Sequence, residues 1–213
     1  MIPSRAPVEV LHGDAADAAR GIEGDFALLD EGRAAARTWT CTSTAVVLGV
    51  GRAAADDVDE GECRARGVAL LRRASGGGTV VIGPGTLQYA LVLPHAPGRE
   101  PPSLGEVKRL CNESVRRALL ACGAADVEAE PCGDLRVGDR KVGGTALRRH
   151  RDATMLHGTL LLEPDLAMVA ALLRHPSREP AWRQGRSHLA FLAGLGPVGE
   201  ASFAEALRAA APR

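Results

Sequence analysis

Two glycine-rich segments hold the residues whose types and spacing can do chemistry. The first, Arg72-Arg73-Ala74-Ser75-Gly76-Gly77-Gly78, sets two guanidinium groups beside three residues without side chains. Consecutive glycines reach backbone conformations in which N–H groups converge on an anion, and a ligand can lie flat against them. The spacing fits neither GxxxxGK[ST] nor GxGxxG. Thr79-Val80-Val81-Ile82 follows, which is strand material, so the loop joins strand to strand and no helix dipole points at a ligand. A tight hairpin needs only two turn residues, so three glycines favour a binding loop over a plain turn. If the strand continues, Arg72 and Arg73 alternate, one toward ligand and one toward solvent.

The second segment is Gly138-Asp139-Arg140-Lys141-Val142-Gly143-Gly144-Thr145-Ala146, a turn that enters a strand. Gly143-Gly144 inside a strand marks close approach of a ligand or another backbone. Lys141 then stands beside a surface lacking side chains. Of 26 basic residues only Lys108 and Lys141 are lysine. A lysine kept in an arginine-rich chain is a candidate for work that needs a compact ammonium, such as steadying charge on a phosphoryl or carboxyl oxygen. Chance placement on a solvated hairpin is the plainer alternative.

Weaker candidates surround these. His157 heads the Thr159-Leu160-Leu161-Leu162 strand and is a substrate contact or a satisfied strand-edge histidine. Arg148-Arg149-His150-Arg151-Asp152 reads as a solvated hairpin tip, with docking of an acidic partner as the second reading. Arg183, Arg186 and His188 are a further possible anion or partner site. The five cysteines form no CxxC pair and imply neither disulfides nor a zinc site. Cys111 and Cys122 read as buried small hydrophobes. No metal-ligand spacing, HExxH or GxSxG is present, so no metal residues are assigned.

The elements that must position these residues are of mixed type. Residues 14–37 read as an Ala-rich helix broken near Gly21 and Gly24. Strands are expected over 45–50, 68–71, 79–82 and 87–93, with a short helix over 56–66. Ser103 and Glu106 open a helix as a capping box, and Gly123 ends it. Residues 134–162 read as two or three strands and 165–173 as a helix. A Pro- and Arg-rich loop leads to short terminal helices, one capped by Ser202 and Glu205. This favours an α+β fold, a mixed sheet packed with helices, over a doubly wound parallel one. At 213 residues the chain has room for one substantial core. Zero formal net charge demotes nonspecific nucleic-acid binding. No apolar run suits a bilayer and the N-terminus has no signal-peptide pattern, so a cytoplasmic protein without a membrane partner is expected.

Three stretches together resemble the lipoate–protein ligase family of the biotin/lipoate ligase superfamily. Val46-Val47-Leu48-Gly49 through Val80 is similar to its strand, helix and RRxSGGGxV signature. Asp134-Leu135 through Ala146 is similar to NDL…GRKxxGxA, and Leu156 to Leu162 to HHGTLLL. The resemblance covers roughly residues 26–195 and implies a biotin/lipoate ligase-like catalytic domain spanning 1–213, without a C-terminal accessory domain. It implies ATP-dependent activation of lipoate to lipoyl-AMP and transfer of the lipoyl group to a lysine of a lipoyl carrier domain. By the same resemblance Lys141 is catalytic and contacts the carboxylate and α-phosphate. Arg73, Gly78, Thr79, Val80 and Val81 would hold the nucleotide and adenylate. Arg72, Ser75, Gly76, Gly77, Gly143, Gly144, Thr145 and His157 would line the lipoyl site, with Asp134 supporting the Lys141 loop. Mg²⁺ would offset phosphate charge through ligands the sequence does not specify.

Two departures qualify the likeness. Many members carry His-Asp after the glycine loop, where this chain has Val81-Ile82. The accessory domain many ligases carry is not found, so a separate small subunit is one expectation. The nearest rival is an ATP-independent octanoyl or lipoyl transferase with a cysteine nucleophile. Cys132, nine residues before Lys141, keeps it open, although such transferases place their cysteine near Asp126 and Val127. A noncatalytic lipoyl-carrier-binding subunit is the third reading.

Overall fold

The computed structural model describes residues 6–124 and 127–212; Asp126 and the first five residues lie outside them. In chain order the elements are β1 (Val8–His12), α1 (Ala16–Glu31), β2 (Ala35–Trp39), β3 (Ala45–Leu48), α2 (Ala54–Asp57), α3 (Glu60–Ala65), β4 (Ala69–Arg73), β5 (Val80–Ile82), β6 (Thr86–Pro94) and α4 (Leu104–Ala121). Then follow β7 (Val127–Ala129), β8 (Leu135–Val137), β9 (Arg140–Arg149), β10 (Ala153–Leu161), α5 (Leu166–Leu172), a 3-10 turn (Ala181–Arg183), α6 (His188–Phe191) and α7 (Glu200–Ala210).

The strands make two sheets. The smaller has the order β1-β4-β3-β5 and the larger β2-β6-β10-β9-β8-β7. Among the described strands β3 and β4 run parallel and the other strand pairs antiparallel. A mixed sheet with packed helices is the α+β arrangement expected from the sequence.

The larger sheet is buried on both faces, and the two-residue period of its central strands sorts side chains between two cores. Leu87, Tyr89 and Leu91 of β6 join α4 and α7 in one core. Ala90 and Val92 join Ile22, Phe26 and Leu29 of α1 in the other. Met155 of β10 faces the α1 side and Leu156 the α4 side. His157, two residues after Met155, therefore faces α1, and it sits on a central strand rather than at a sheet edge.

The sequence reading is corrected at several points. Residues 14–37 are not one helix: α1 ends at Gly32, whose left-handed φ of 67° lets its N–H bond Leu29 O. Residues 35–39 are the edge strand β2. Gly21 and Gly24 do not break α1. A Cβ at Gly21 would lie 2.3 Å from the Trp39 ring, so that glycine is where the helix closes on β2. Ser202 and Glu205 lie inside α7, which is capped by Gly199. The α4 cap is as expected, with Ser103 Oγ accepting from Glu106 N at 3.1 Å.

Candidate active site

A cavity of about 410 Å³ lies between the two sheets. The glycine loop forms one wall. It leaves β4, enters β5 and is pinned from outside: Val50 N donates to Ser75 O at 2.9 Å and Arg148 to Ala74 O at 3.0 Å. It is pinned from inside by Arg73, which is buried. Arg73 Nε donates to Ser75 Oγ, Nη1 to Val47 O, and Nη2 to Gly76 O at 2.7 Å and Gly78 O at 2.9 Å. Burial lowers the guanidinium pKa to about 10, so it stays charged at neutral pH. Gly49 passes behind the loop so closely that a Cβ there would meet Gly77 O at 2.4 Å.

Strand β9 forms the facing wall. Lys141 Nζ lies 2.6 Å from Asp134 Oδ1, and Trp182 Nε1 donates to the other carboxylate oxygen at 3.2 Å. A Cβ on Gly144 would stand 2.9 Å from Lys141 Nζ, so the missing side chain is the space into which this ammonium folds. Gly143 serves differently, since a Cβ there would crowd Thr159 O of β10 at 3.0 Å.

The two ends of the cavity differ in character. At one, Ile22, Trp39, Val47 and Ile82 make an apolar wall that includes the buried Asp25 and His157. Asp25 accepts from Arg37 at 2.6 Å and from Trp39 Nε1 at 3.1 Å. Burial outweighs these bonds and raises its pKa to about 6. The other end is basic, with Arg52, Arg174, Arg178, Arg183 and His188 in its lining. Asp57 accepts from both Arg52 and Thr79 there. Burial works against the charged form of Asp57, but these two bonds and the Arg52 charge hold its carboxyl below the usual range. Arg183 stacks 4.9 Å over Phe191, whose ring lies 4.4 Å from Trp182.

Of the residues singled out from sequence, the cavity brings together Lys141, Asp134, Arg73, Gly77, Gly78, Thr79, Val80, Val81, Gly143, Gly144, Thr145 and His157. Ser75, Gly76 and Arg72 stand outside its lining. Ser75 is fully buried behind it, 2.6 Å from His157 Nε2. Arg72 turns the other way, onto the carbonyls of Gly49 and Arg52. Arg183 and His188 line the cavity, whereas Arg186 stands outside its lining and donates to Asp139 O at 2.7 Å. Cys132 lines it as well, exposed, with its thiol pKa pushed up by burial and by the Asp134 charge despite a backbone hydrogen bond at Asp134. Sequence reasoning missed Asp25, Trp39, Asp57, Arg52 and Trp182. Asp25 alone left a signal, as the one acid on the buried stripe of α1.

A family model described as the lipoyl protein ligase A/B catalytic domain matches residues 27–205. The chain belongs to this family. It is 25% identical over 143 residues to lipoate-protein ligase A subunit 1 of Thermoplasma acidophilum, covering 63% of this chain and 53% of that protein. The chain spans about half the length of the curated relatives it matches. Among solved structures, its fold is similar to that of a bipartite lipoate protein ligase from T. acidophilum, with a TM-score of 0.69 at 23% identity. That match covers 84% of this chain and 69% of the other. A lipoate-protein ligase A bound with ATP gives a TM-score of 0.67 at 22% identity, covering 84% and 71%. This ligase-family chain therefore shares its fold with both of these proteins.

Proposed function

We propose that the chain is the catalytic part of a lipoate–protein ligase. The observation that carries this is one cavity with an apolar end, a basic end, and Lys141 on the wall opposite the glycine loop. A carboxylic acid with an apolar tail and a nucleotide triphosphate suit the two ends. A lipoate carboxylate oxygen would attack the α-phosphorus of ATP, forming a C–O–P anhydride as pyrophosphate leaves. The amine of a carrier lysine would then attack the acyl carbon, forming the amide as AMP leaves with the C–O electron pair. Each step builds charge on oxygen, and neither needs a protein nucleophile. Lys141 is the group that supplies compensating charge, from the wall opposite the glycine loop.

Among the described residues no three His, Cys, Asp or Glu side chains converge as a metal site. Mg²⁺ would arrive on the nucleotide phosphates, its usual mode of binding, and no step here is assigned to it. The relative described as bipartite supports a separate partner subunit, and its pairing with an E2 lipoyl domain supports a lipoyl carrier as acceptor. No helix among the described residues is long and apolar enough to cross a membrane.

Lipoate-dependent ATP–pyrophosphate exchange tests the proposal. No exchange at any lipoate concentration, with or without a candidate partner subunit, would sink it. One observation keeps a transferase as second reading: Cys132 opens on the same cavity as Lys141. Its raised pKa is the wrong direction for an activated thiolate. ATP-independent transfer from octanoyl carrier protein, abolished by Cys132→Ala, would establish that reading instead.

A further inference from the structure

The two lysines of the chain meet at one turn. Lys141 Nζ ends on Asp134 Oδ1. Lys108, half-buried in the first part of α4, extends its Nζ to Cys132 O at 3.0 Å, two residues before that aspartate. Residues 130–134, which join β7 to β8, therefore carry one ammonium on their backbone and the other on a carboxylate.

The turn closes on itself through Glu130 N to Asp134 O at 2.8 Å and Gly133 N to Glu130 O at 2.9 Å. Two donors from outside then hold its backbone against the fold. Thr145 Oγ1 of β9 donates to Gly133 O at 3.0 Å, and Lys108 of α4 donates to Cys132 O. Gly133 lies between them with a left-handed φ of 105°. A Cβ there would strike Thr145 Oγ1 and come within 3.2 Å of Lys108 Cδ. The lysine stem thus packs on a bare α-carbon while its head takes the neighbouring carbonyl. A lysine that merely solvated the helix face would make neither contact.

We propose that Lys108 is a positioning residue for the reaction. It is not part of the cavity lining. By holding the turn, it sets where the Asp134 carboxylate stands, and through that carboxylate where the Lys141 ammonium stands. A supporting group of this kind acts on rate through geometry. The inference rests on the ligase reading, in which Lys141 steadies the charge that develops on oxygen.

Lys108→Met keeps the stem and removes the donor, and Lys108→Arg keeps a charged donor. In lipoate-dependent exchange, Lys108→Met should lower kcat about 3- to 10-fold, the range of one net hydrogen bond, with KM little changed. Lys108→Arg should restore most of the loss. In an Asp134→Asn background, Lys108→Met should cost nothing further, because the two changes break one linkage. With two lysines in the chain, NMR of the lysine-labelled full chain follows the Lys141 side-chain signal directly. That signal should shift in Lys108→Met and return toward its original place in Lys108→Arg. A Lys141 signal unmoved in Lys108→Met would overturn the inference alone. So would an unchanged kcat, or losses that simply multiply in the double variant. No exchange by the unaltered protein, with or without a candidate partner subunit, would remove the ligase reading and this inference with it.

Discussion

Lys141 Nζ sits 2.6 Å from Asp134 Oδ1 and directly over Gly144, so one ammonium is held by a carboxylate on one side and by an absent side chain on the other. Both contacts set where the charge stands in the cavity. Lys141→Ala should lower exchange by about 10²- to 10³-fold, the scale of one lost preorganised charge or donor. Its circular dichroism spectrum should match that of the unaltered protein. Undiminished turnover would refute the central role given to this lysine.

Gly144→Ala probes the same position without touching the charge. The new Cβ would stand 2.9 Å from Nζ and 3.1 Å from Cε and must push the ammonium aside. A displacement of that order costs about 10²-fold in rate when geometry governs the chemistry. Steady-state exchange kinetics should show the loss mainly in kcat, with the unfolding midpoint little changed.

Asp57 ties Arg52 to the glycine-loop residue Thr79 at the basic end. Asp57→Ala leaves Arg52 poorly paired and should destabilise the protein by ~3 kcal/mol, the lower range for breaking a buried pair. Urea unfolding at neutral pH measures this. Because the folded Asp57 pKa lies below its ordinary value, its contribution is fully present above the unfolded carboxylate pKa. It is lost as pH falls toward the folded value, so the gap between the two proteins should narrow in acid.

Asp25 and His157 give opposite pH slopes at the apolar end. His157 is held down to about 3 from 6.5, so below pH 6.5 the unfolded chain takes a proton that the folded ring declines. Stability therefore falls with pH through that window. Asp25 is raised to about 6 from 3.8, so between those values the folded protein binds the extra proton and stability rises as pH falls. The two largely cancel between about pH 6 and 4. Asp25→Asn should expose the histidine slope and lose stability toward pH 4, while His157→Leu should gain it. Parallel stability curves for both variants would contradict these assignments.

The Lys141 and glycine-loop walls were legible in the sequence because their signals are local. Three glycines in a row and a glycine pair inside a strand constrain their own backbone, whatever lies around them. The apolar end was not legible for the opposite reason. Asp25 and Trp39 are 14 residues apart, yet bond each other because α1 turns back over β2. The Ala-rich composition of residues 14–37 hid that turn. Strand β2 carries Ala35 and Ala36, good helix formers that become strand only by pairing with β6. Asp57 likewise gains its partners from tertiary packing, not from its own neighbourhood.

Gly49 and Gly77 meet back to front, since any side chain at 49 would strike the carbonyl of 77. The shape of the loop is thus owned jointly by β4–β5 and by the turn that leaves β3. Grafting Arg72 to Gly78 onto another sheet would not carry the cradle along, because the groove behind it would have to be moved too. The clash at 49 is with a backbone carbonyl and Gly77 has a left-handed φ of 91°, so no change at 77 makes room at 49, and a library varying both together should return glycine at each.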